Sequence, residues 1–425
     1  MTLTGEIFVE NMSAAERDRA AMVERVLPAL RDHADDVDKA GEFYMPHVKT
    51  LSNAGLLGLM VPEQYGGLGG GLRDLCAATF AMGSACPSTA LCYYFQCSAT
   101  SRGTLLLKAL EQNLFNAEEA AKVTQWAELL LNLIGREGKW MGNFTSENVK
   151  TEKAKITVET VASKVDGGYQ LNGVKSFACA YGVADYYLVT ANLEGHDDID
   201  GMCTFIVDSS SAGLDRRIKW DALGMRGSAT DGLVMKDVFV SDEYSLPIVG
   251  AFKKSMDMSR GSFVGNQMAG GAVYLGIAYS VYEYILDQLK TKTFKDTGKP
   301  YGTGPMYQQL LGEMMTDLHT AMLWLRRQLE LETAEPPLLP KDEVVKLWRL
   351  CKGQVAESGF KLATNALKAA GTGGALSSSL TNRAIREMAM GIVQAYPAER
   401  GKLDAANTEI IGSGETLFAG HKKSA

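Results

Sequence analysis

Behind Ser13 the chain settles into a helical rhythm. Met22, Val23, Val26, Leu27 and Leu30 recur at three- and four-residue spacing, and Ser13-Ala14-Ala15-Glu16 supplies a capping box to open the helix. Pro28 lies inside this run and predicts a kink or restart, because it lacks an amide donor and crowds the carbonyl four residues back. Val48, Leu51, Leu56 and Leu57 extend the signal up to VPEQYGGLGGG at 61–71, a loop by its glycine content. Further helices are predicted around Leu72 to Ala85, from Ser88 to about Leu107, and around Ala117 to Leu133. Near Trp140 the period changes. Ile156, Val158 and Val161 sit in a β-branched stretch, and Asp166-Gly167 and Asn172-Gly173 read as hairpin turns. Tyr186 to Ala191, Met202 to Val207 and Leu233 to Val240 read as strands. From Ala251 the helical period returns. Met256 to Leu289 reads as one helix, roughly 50 Å long at about 1.5 Å per residue, with Gly261, Gly265, Gly270, Gly271 and Gly276 inside it. Two more follow, Met306 to Thr333 and Val344 to Ala369, separated by the proline-rich break at 334–340 and ended by Gly371-Thr372-Gly373-Gly374.

This order predicts an α+β chain of three parts: a helical domain over 1–137, a compact β domain over 138–248 and a bundle of long helices over 249–425. Long helices with apolar residues on more than one face bury the second face against a partner, so an oligomer is expected. The interior glycines of 261–276 suit either close helix contact or the approach of a flat ligand.

Composition narrows the function more than the fold. The chain is 46% hydrophobic and 22% charged, with a formal charge of −7, so disorder is excluded as the main state and a basic nucleic-acid footprint is absent. A polyanionic ligand must therefore be held by local groups. No apolar run approaches the roughly 18–20 residues that span a bilayer, and Met1 to Glu16 lacks the pattern of a secretory signal. A soluble cytoplasmic protein is expected. The seven cysteines show no CxxC spacing and the five histidines are scattered, which predicts reduced thiols and no metal site. No GxxxxGK[ST], strand-linked GxGxxG or GxSxG segment occurs. Spacing alone names no chemistry, although a flat cofactor could lie between the β and helical layers.

Five segments, in order, resemble the acyl-CoA dehydrogenase superfamily: LSNAGLLGLMVPEQYGGLGG at 51–70, GYQLNGVKSFACAYGVAD at 168–185, LGMRGSATDGLVMKDVFV at 223–240, the stretch from Thr293-Phe294 to Met314, and Gly371 to Glu387. The resemblance implies a helical N-domain, a β-barrel-like middle domain, a C-terminal four-helix bundle, bound FAD and a homo-oligomer, dimer or tetramer. It further implies that Phe144, Thr145 and Ser146, with Phe177, Ala178 and Cys179, meet the flavin ring, although core packing accounts for Phe177 and Cys179 as well. Lys292, Phe294, Lys368, Gly371 and Gly374 match positions that meet the cofactor's phosphates, partly from a neighbouring subunit. Here the family's arginine position is Thr291 and one of its glutamines is Pro305, while Lys368 replaces another. Tyr94, Phe95 and Gln96 match a helix lining the acyl pocket, where aromatic core is the plainer reading.

The departure lies at the catalytic base. A dehydrogenase of this kind uses a carboxylate to take the α-proton of the thioester. The two family positions for it are Ala395 and Asn266 here, and Glu399 is the nearest carboxylate that a shifted loop could supply. Related flavin-dependent monooxygenases need no such base, and Ser176-Phe177-Ala178-Cys179-Ala180 is closer to their pattern. Three readings stay open: an oxygenating flavoenzyme served by a flavin reductase, an ordinary acyl-CoA dehydrogenase with a relocated base and an electron-transfer partner, and a non-catalytic flavin or thioester binder.

Overall fold

The computed structural model describes residues 2–147, 157–261, 267–394 and 397–412. The first helices are α1 (Thr4–Phe8), α2 (Ala14–Asp32), α3 (Ala34–Ala40), α4 (Pro46–Asn53), α5 (Leu72–Ala85), α6 (Pro87–Glu111) and α7 (Ala117–Gly135). The predicted capping box opens α2: the Glu16 amide donates to Ser13 Oγ, and the Ser13 amide donates to the Glu16 carboxylate. The helix does not stop at Pro28 but runs to Asp32, because Val23, Val26, Leu27 and Leu30 bury one continuous face across it. That burial outweighs the one backbone bond proline removes.

The strands β1 (Met141–Phe144), β2 (Val161–Val165), β3 (Gly168–Lys175), β4 (Tyr186–Leu193), β5 (Met202–Asp208), β6 (Leu214–Arg216), β7 (Leu233–Ser241) and β8 (Ser245–Leu246) form an eight-stranded mixed sheet among the described residues. β1 and β2 both lie parallel to β4, along one of its edges, while β5 pairs with the other. Asp166-Gly167 is the turn between β2 and β3. Asn172-Gly173 is not a turn. It lies inside β3, where the ladder with β7 shifts register between Leu171 and Gly173. A Cβ at position 173 would sit 2.4 Å from Thr160 Oγ1, so the glycine serves close approach of a neighbouring segment.

The C-terminal helices are α8 (Ala251–Asp257), α9 (Gln267–Thr291), α10 (Pro305–Thr333), α11 (Lys341–Ala370), α12 (Leu380–Val393) and α13 (Ala398–Ile411). The expected single helix from Met256 to Leu289 is therefore broken. α8 ends at Asp257 and the chain turns through Met258 to Gly261, held by Arg260 Nη1 donating to the Ala334 carbonyl at 2.5 Å and by Lys341 Nζ donating to the Asp257 carbonyl at 2.7 Å. These contacts come from the residue that ends α10 and the first residue of α11, which no local period reports. Gly276 bears out close helix contact: a Cβ there would lie 2.2 Å from the Phe80 carbonyl oxygen, where α5 and α9 cross.

One apolar core runs from the N-terminal helices through the sheet to the bundle, joining Leu75, Phe80, Trp140, Phe205, Val273 and Leu362. Polar ties bridge the same elements. Asp38 accepts Arg386 Nη1 from α12 at 2.8 Å, and its backbone carbonyl accepts Arg226 Nε at 2.9 Å. No helix among the described residues is long and apolar enough to cross a membrane.

Candidate functional site

The two segments expected to meet the flavin ring come together on the sheet. Beyond β1 the chain runs beside the residues that follow β3: the Ser176 amide donates to the Ser146 carbonyl at 2.9 Å, and Ser176 Oγ donates to the same oxygen at 3.1 Å. An ion pair locks this seam. Lys175 Nζ lies 2.5 Å from Glu147 Oε1, with the lysine side chain fully inaccessible and the carboxylate 3% exposed. Phe144 is fully buried with its ring edge-on to Tyr187. Thr145 Oγ1 sits between Thr190 Oγ1 at 3.0 Å and Arg102 Nη2 at 2.9 Å.

Phe177 is the large apolar side chain exposed at the seam. Its ring is 48% exposed, braced edge-on by Trp220 at 5.2 Å and covered by the Arg217 guanidinium at 5.0 Å. Arg217 Nη1 is buried without a hydrogen-bond partner. Ala178 and Cys179 are buried behind it, and Cys179 Sγ lies 3.2 Å from Thr230 Oγ1. A half-exposed aromatic ring beside an unused cationic donor fits a flat, anionic cofactor such as a flavin nucleotide.

The second group of expected cofactor residues gathers elsewhere, where α9 and α11 end and α10 begins. Lys292, Tyr301, Tyr307 and Gly371 line a cavity of about 270 Å³ with Gln288 and Leu289. Lys292 Nζ donates to Gln288 Oε1 at 2.7 Å, and Phe294 packs on Tyr301 at 5.0 Å, forming an aromatic wall. Gly371 leaves α11 at φ +67°, and buried Gly374 accepts Thr381 Oγ1 at 2.7 Å. Lys368 stands outside this cavity, exposed, donating to Asn365 Oδ1 at 3.1 Å. Within one protomer this group and the Phe177 seam share no hydrogen bond or ring contact among the described residues.

Of the five residues expected to line the substrate pocket, Tyr94, Phe95, Gln96, Asn266 and Ala395, the three on α6 divide. Tyr94 packs against Phe95 at 4.7 Å, and its ring faces Gly270 on α9. Burial pushes its phenol well above the ordinary value. Gln96 points elsewhere: it is fully buried, its Oε1 accepts the Met141 amide at 2.5 Å, and its Nε2 donates to the Leu57 and Lys139 carbonyls. It ties α6 to β1. Ala395 and Asn266 lie outside the described residues. Glu399 is exposed in the first turn of α13.

Beside these stand residues that the sequence reading did not single out. Tyr274 on α9 is buried, and its hydroxyl hydrogen-bonds Gln394 Oε1, immediately before position 395. Glu387 on α12 is 3% exposed, and burial pushes its carboxyl up to about 7 against the partial offset of Arg383. Arg102 is buried in α6. One signal was available for it: Arg102 is the only charged residue of α6 before Lys108. The seven cysteines are all buried free thiols, and burial pushes Cys97 and Cys203 up to about 12, away from reactive thiolate.

Comparison with known proteins agrees with this architecture. Family models described as the N-terminal, middle and C-terminal domains of acyl-CoA dehydrogenase match residues 14–110, 143–238 and 268–396. The mitochondrial isovaleryl-CoA dehydrogenase of Solanum tuberosum is 26% identical over 369 residues, covering 84% of this chain and 81% of its own. The amino sugar nitrososynthase DnmZ of Streptomyces peucetius is 27% identical over 315 residues, covering 74% and 72%. Among solved structures, FMN-bound TdsC from Paenibacillus sp. A11-2, a dibenzothiophene monooxygenase, superposes with a TM-score of 0.79 at 19% identity, covering 95% of this chain and 100% of its own. With all three domain models matched in order on the elements described above, the chain belongs to the acyl-CoA dehydrogenase family, a family of flavin-dependent oxidoreductases.

Proposed function

We propose that this protein binds FAD and acts on an acyl-CoA or related acyl-thioester, at a site adapted to oxygenation rather than simple dehydrogenation. The observation that carries the cofactor reading is the seam of 144–147 against 176–179, with the half-exposed Phe177 ring and the unpartnered Arg217 Nη1 at its rim. When bound, the flavin supplies hydride acceptance or, in reduced form, activation of dioxygen. The chain's own residues do the rest. Phe177 and Trp220 offer an apolar face, Arg217 meets negative charge, and Tyr94 with Tyr274 closes the helical side against water.

The reaction class turns on the base. Ala395 and Asn266 carry no carboxylate, and loss of a general base costs about 10²–10⁴ in rate. The exposed Glu399 lacks the dry surroundings a base needs. A relocated base is the second reading, and one observation favours it. Glu387 sits near neutrality, and its charge bears on Tyr274, whose hydroxyl reaches Gln394. The cavity walled by Lys292, Tyr301 and Gly371 suits the nucleotide end of a cofactor held by a neighbouring protomer, so a dimer or tetramer completes the site. A flavin reductase would serve the oxygenating reaction, and an electron-transfer flavoprotein the dehydrogenating one.

Denaturing the purified protein should release FAD or leave apoprotein that retains added FAD or reduced flavin. Absence of both overturns the cofactor reading. Mixed anaerobically with short, branched or aryl acyl-CoAs, the flavin should bleach slowly in the native protein and at least about 10²-fold faster in Ala395→Glu. Rapid native bleaching overturns the oxygenating reading and points to Glu387.

A further inference from the structure

Arg102 is the least explained charge in the molecule. It stands mid-way along α6 and is 3% exposed. Its Nη2 donates to Thr145 Oγ1 at 2.9 Å and reaches Asn143 Oδ1 at 3.4 Å, and the Phe252 ring of α8 covers the guanidinium at 4.8 Å. All three partners are neutral. Nε and Nη1 are buried without any hydrogen-bond partner, and no salt bridge to Arg102 exists among the described residues. Burial lowers its pKa to about 10, which leaves it fully charged at neutral pH.

Buried arginines are normally paired with a carboxylate, because an uncompensated charge loses its hydration and gains nothing in return. The other buried cations here obey that rule: Lys175 has Glu147, and Arg383 has Asp35 and Glu387. Among the buried cations of the described residues, Arg102 alone is surrounded by hydroxyl, amide and ring. Either edge of its guanidinium fork includes one unused nitrogen. Asn143 and Thr145, the residues it touches on the sheet side, are half-buried, so the charge lies one side chain below an accessible surface. Thr145 belongs to the segment that continues into the Ser146–Ser176 seam.

We propose that Arg102 is a binding residue for a carboxylate carried on the acyl group of the substrate, so that the enzyme's substrates are thioesters of dicarboxylic or carboxy-substituted acids. The inference rests on the thioester reading above and adds the substrate class. The incoming oxygens replace the missing acceptors at Nε or Nη1, and Asn143 and Thr145 orient the fork. Without ligand the site is destabilising, which is the ordinary signature of a residue kept for recognition rather than for folding.

Equilibrium dialysis with matched thioesters tests it without any turnover. Glutaryl-CoA and pentanoyl-CoA share chain length and differ by a terminal carboxylate in place of a methyl. A charge-assisted hydrogen bond corresponds to a preference of about 10- to 100-fold for glutaryl-CoA in the native protein. Arg102→Met should abolish that preference, leave pentanoyl-CoA binding within about threefold, and raise the melting temperature of the ligand-free protein; Arg102→Lys should retain part of the preference. Equal binding of the two thioesters by the native protein, or an undiminished preference in Arg102→Met, overturns the proposal. If neither thioester binds any variant, the thioester reading has failed and free glutarate decides the matter for Arg102. Protection of the native protein but not of Arg102→Met against thermal unfolding supports it, and equal behaviour overturns it.

Discussion

Removing the Lys175 ammonium should destabilise the protein in a way that separates the ion pair from the hydrogen bonds around it. Glu147 Oε1 accepts Lys175 Nζ at 2.5 Å, Thr160 Oγ1 at 2.6 Å and the Thr160 amide at 3.0 Å, while Oε2 accepts the Glu159 amide at 2.5 Å. Burial pulls the lysine below its ordinary pKa, and the Glu147 charge pushes it back. Breaking a buried pair by deleting one partner costs about 3–5 kcal/mol. Lys175→Met leaves Glu147 with three donors, so the lower end, about 3 kcal/mol, is expected. Glu147→Ala strands the lysine and also the Thr160 amide, worth about 1–3 kcal/mol when orphaned in the interior, while the exposed Glu159 amide can turn to water. It should therefore exceed Lys175→Met by about 1 kcal/mol or more. Urea titrations at one fixed protein concentration, which holds any subunit equilibrium constant, give both values. Either substitution falling within about 1 kcal/mol of native would put the pair in the weak, solvent-screened class. Lys175→Met exceeding Glu147→Ala would refute the ordering. Since the pair clamps the segment leading to Ser146, both variants should also release flavin faster.

Two further predictions concern acidity, with opposite signs in one pH window. Burial lowers the pKa of His47 to about 4, so the stability it contributes is complete above pH 6.5 and lost as pH falls toward 4, up to about 3 kcal/mol. His47→Gln, which can still meet Thr89, should flatten that limb in urea midpoints taken from pH 7 to 4, and an unchanged limb refutes the assignment. Glu387 is raised from 4.5 to about 7, so its contribution is complete below pH 4.5 and lost as pH rises to 7. Glu387→Gln should thus gain up to about 3 kcal/mol on native at pH 8 and nothing at pH 4, and a gain independent of pH would show that the carboxyl does not titrate there.

What the sequence could tell depended on how far each cause lay along the chain. Periodicity found the helices because it repeats within a few residues, as at Val23 to Leu30 and over α10 and α11. Asp166-Gly167 and Asn172-Gly173 carry the same local turn chemistry, yet only the first turns, because Thr160 presses on the second from outside. The interruption after Asp257 is set by Ala334 and Lys341, more than 70 residues away. The 144–147 and 177–179 segments were legible only through family resemblance, and the Ser146–Ser176 hydrogen bond joins the first to the residue just before the second. The isolation of Arg102 was not legible, since it consists of carboxylates that three-dimensional packing keeps away.

The Asp38 carboxylate receives Arg386 across 348 residues of chain, while its carbonyl receives Arg226. On the ribosome, residues emerge at about 5–20 per second. Asp38 thus waits roughly 20–70 s for its last partner at that pace. Through that interval α3 carries an acidic side chain that the finished fold buries, without the cation that will meet it there. Final seating of α3 must therefore follow synthesis of α12, and a synonymous change that slows translation between codons 226 and 386 would lengthen the exposure without altering one residue of the product.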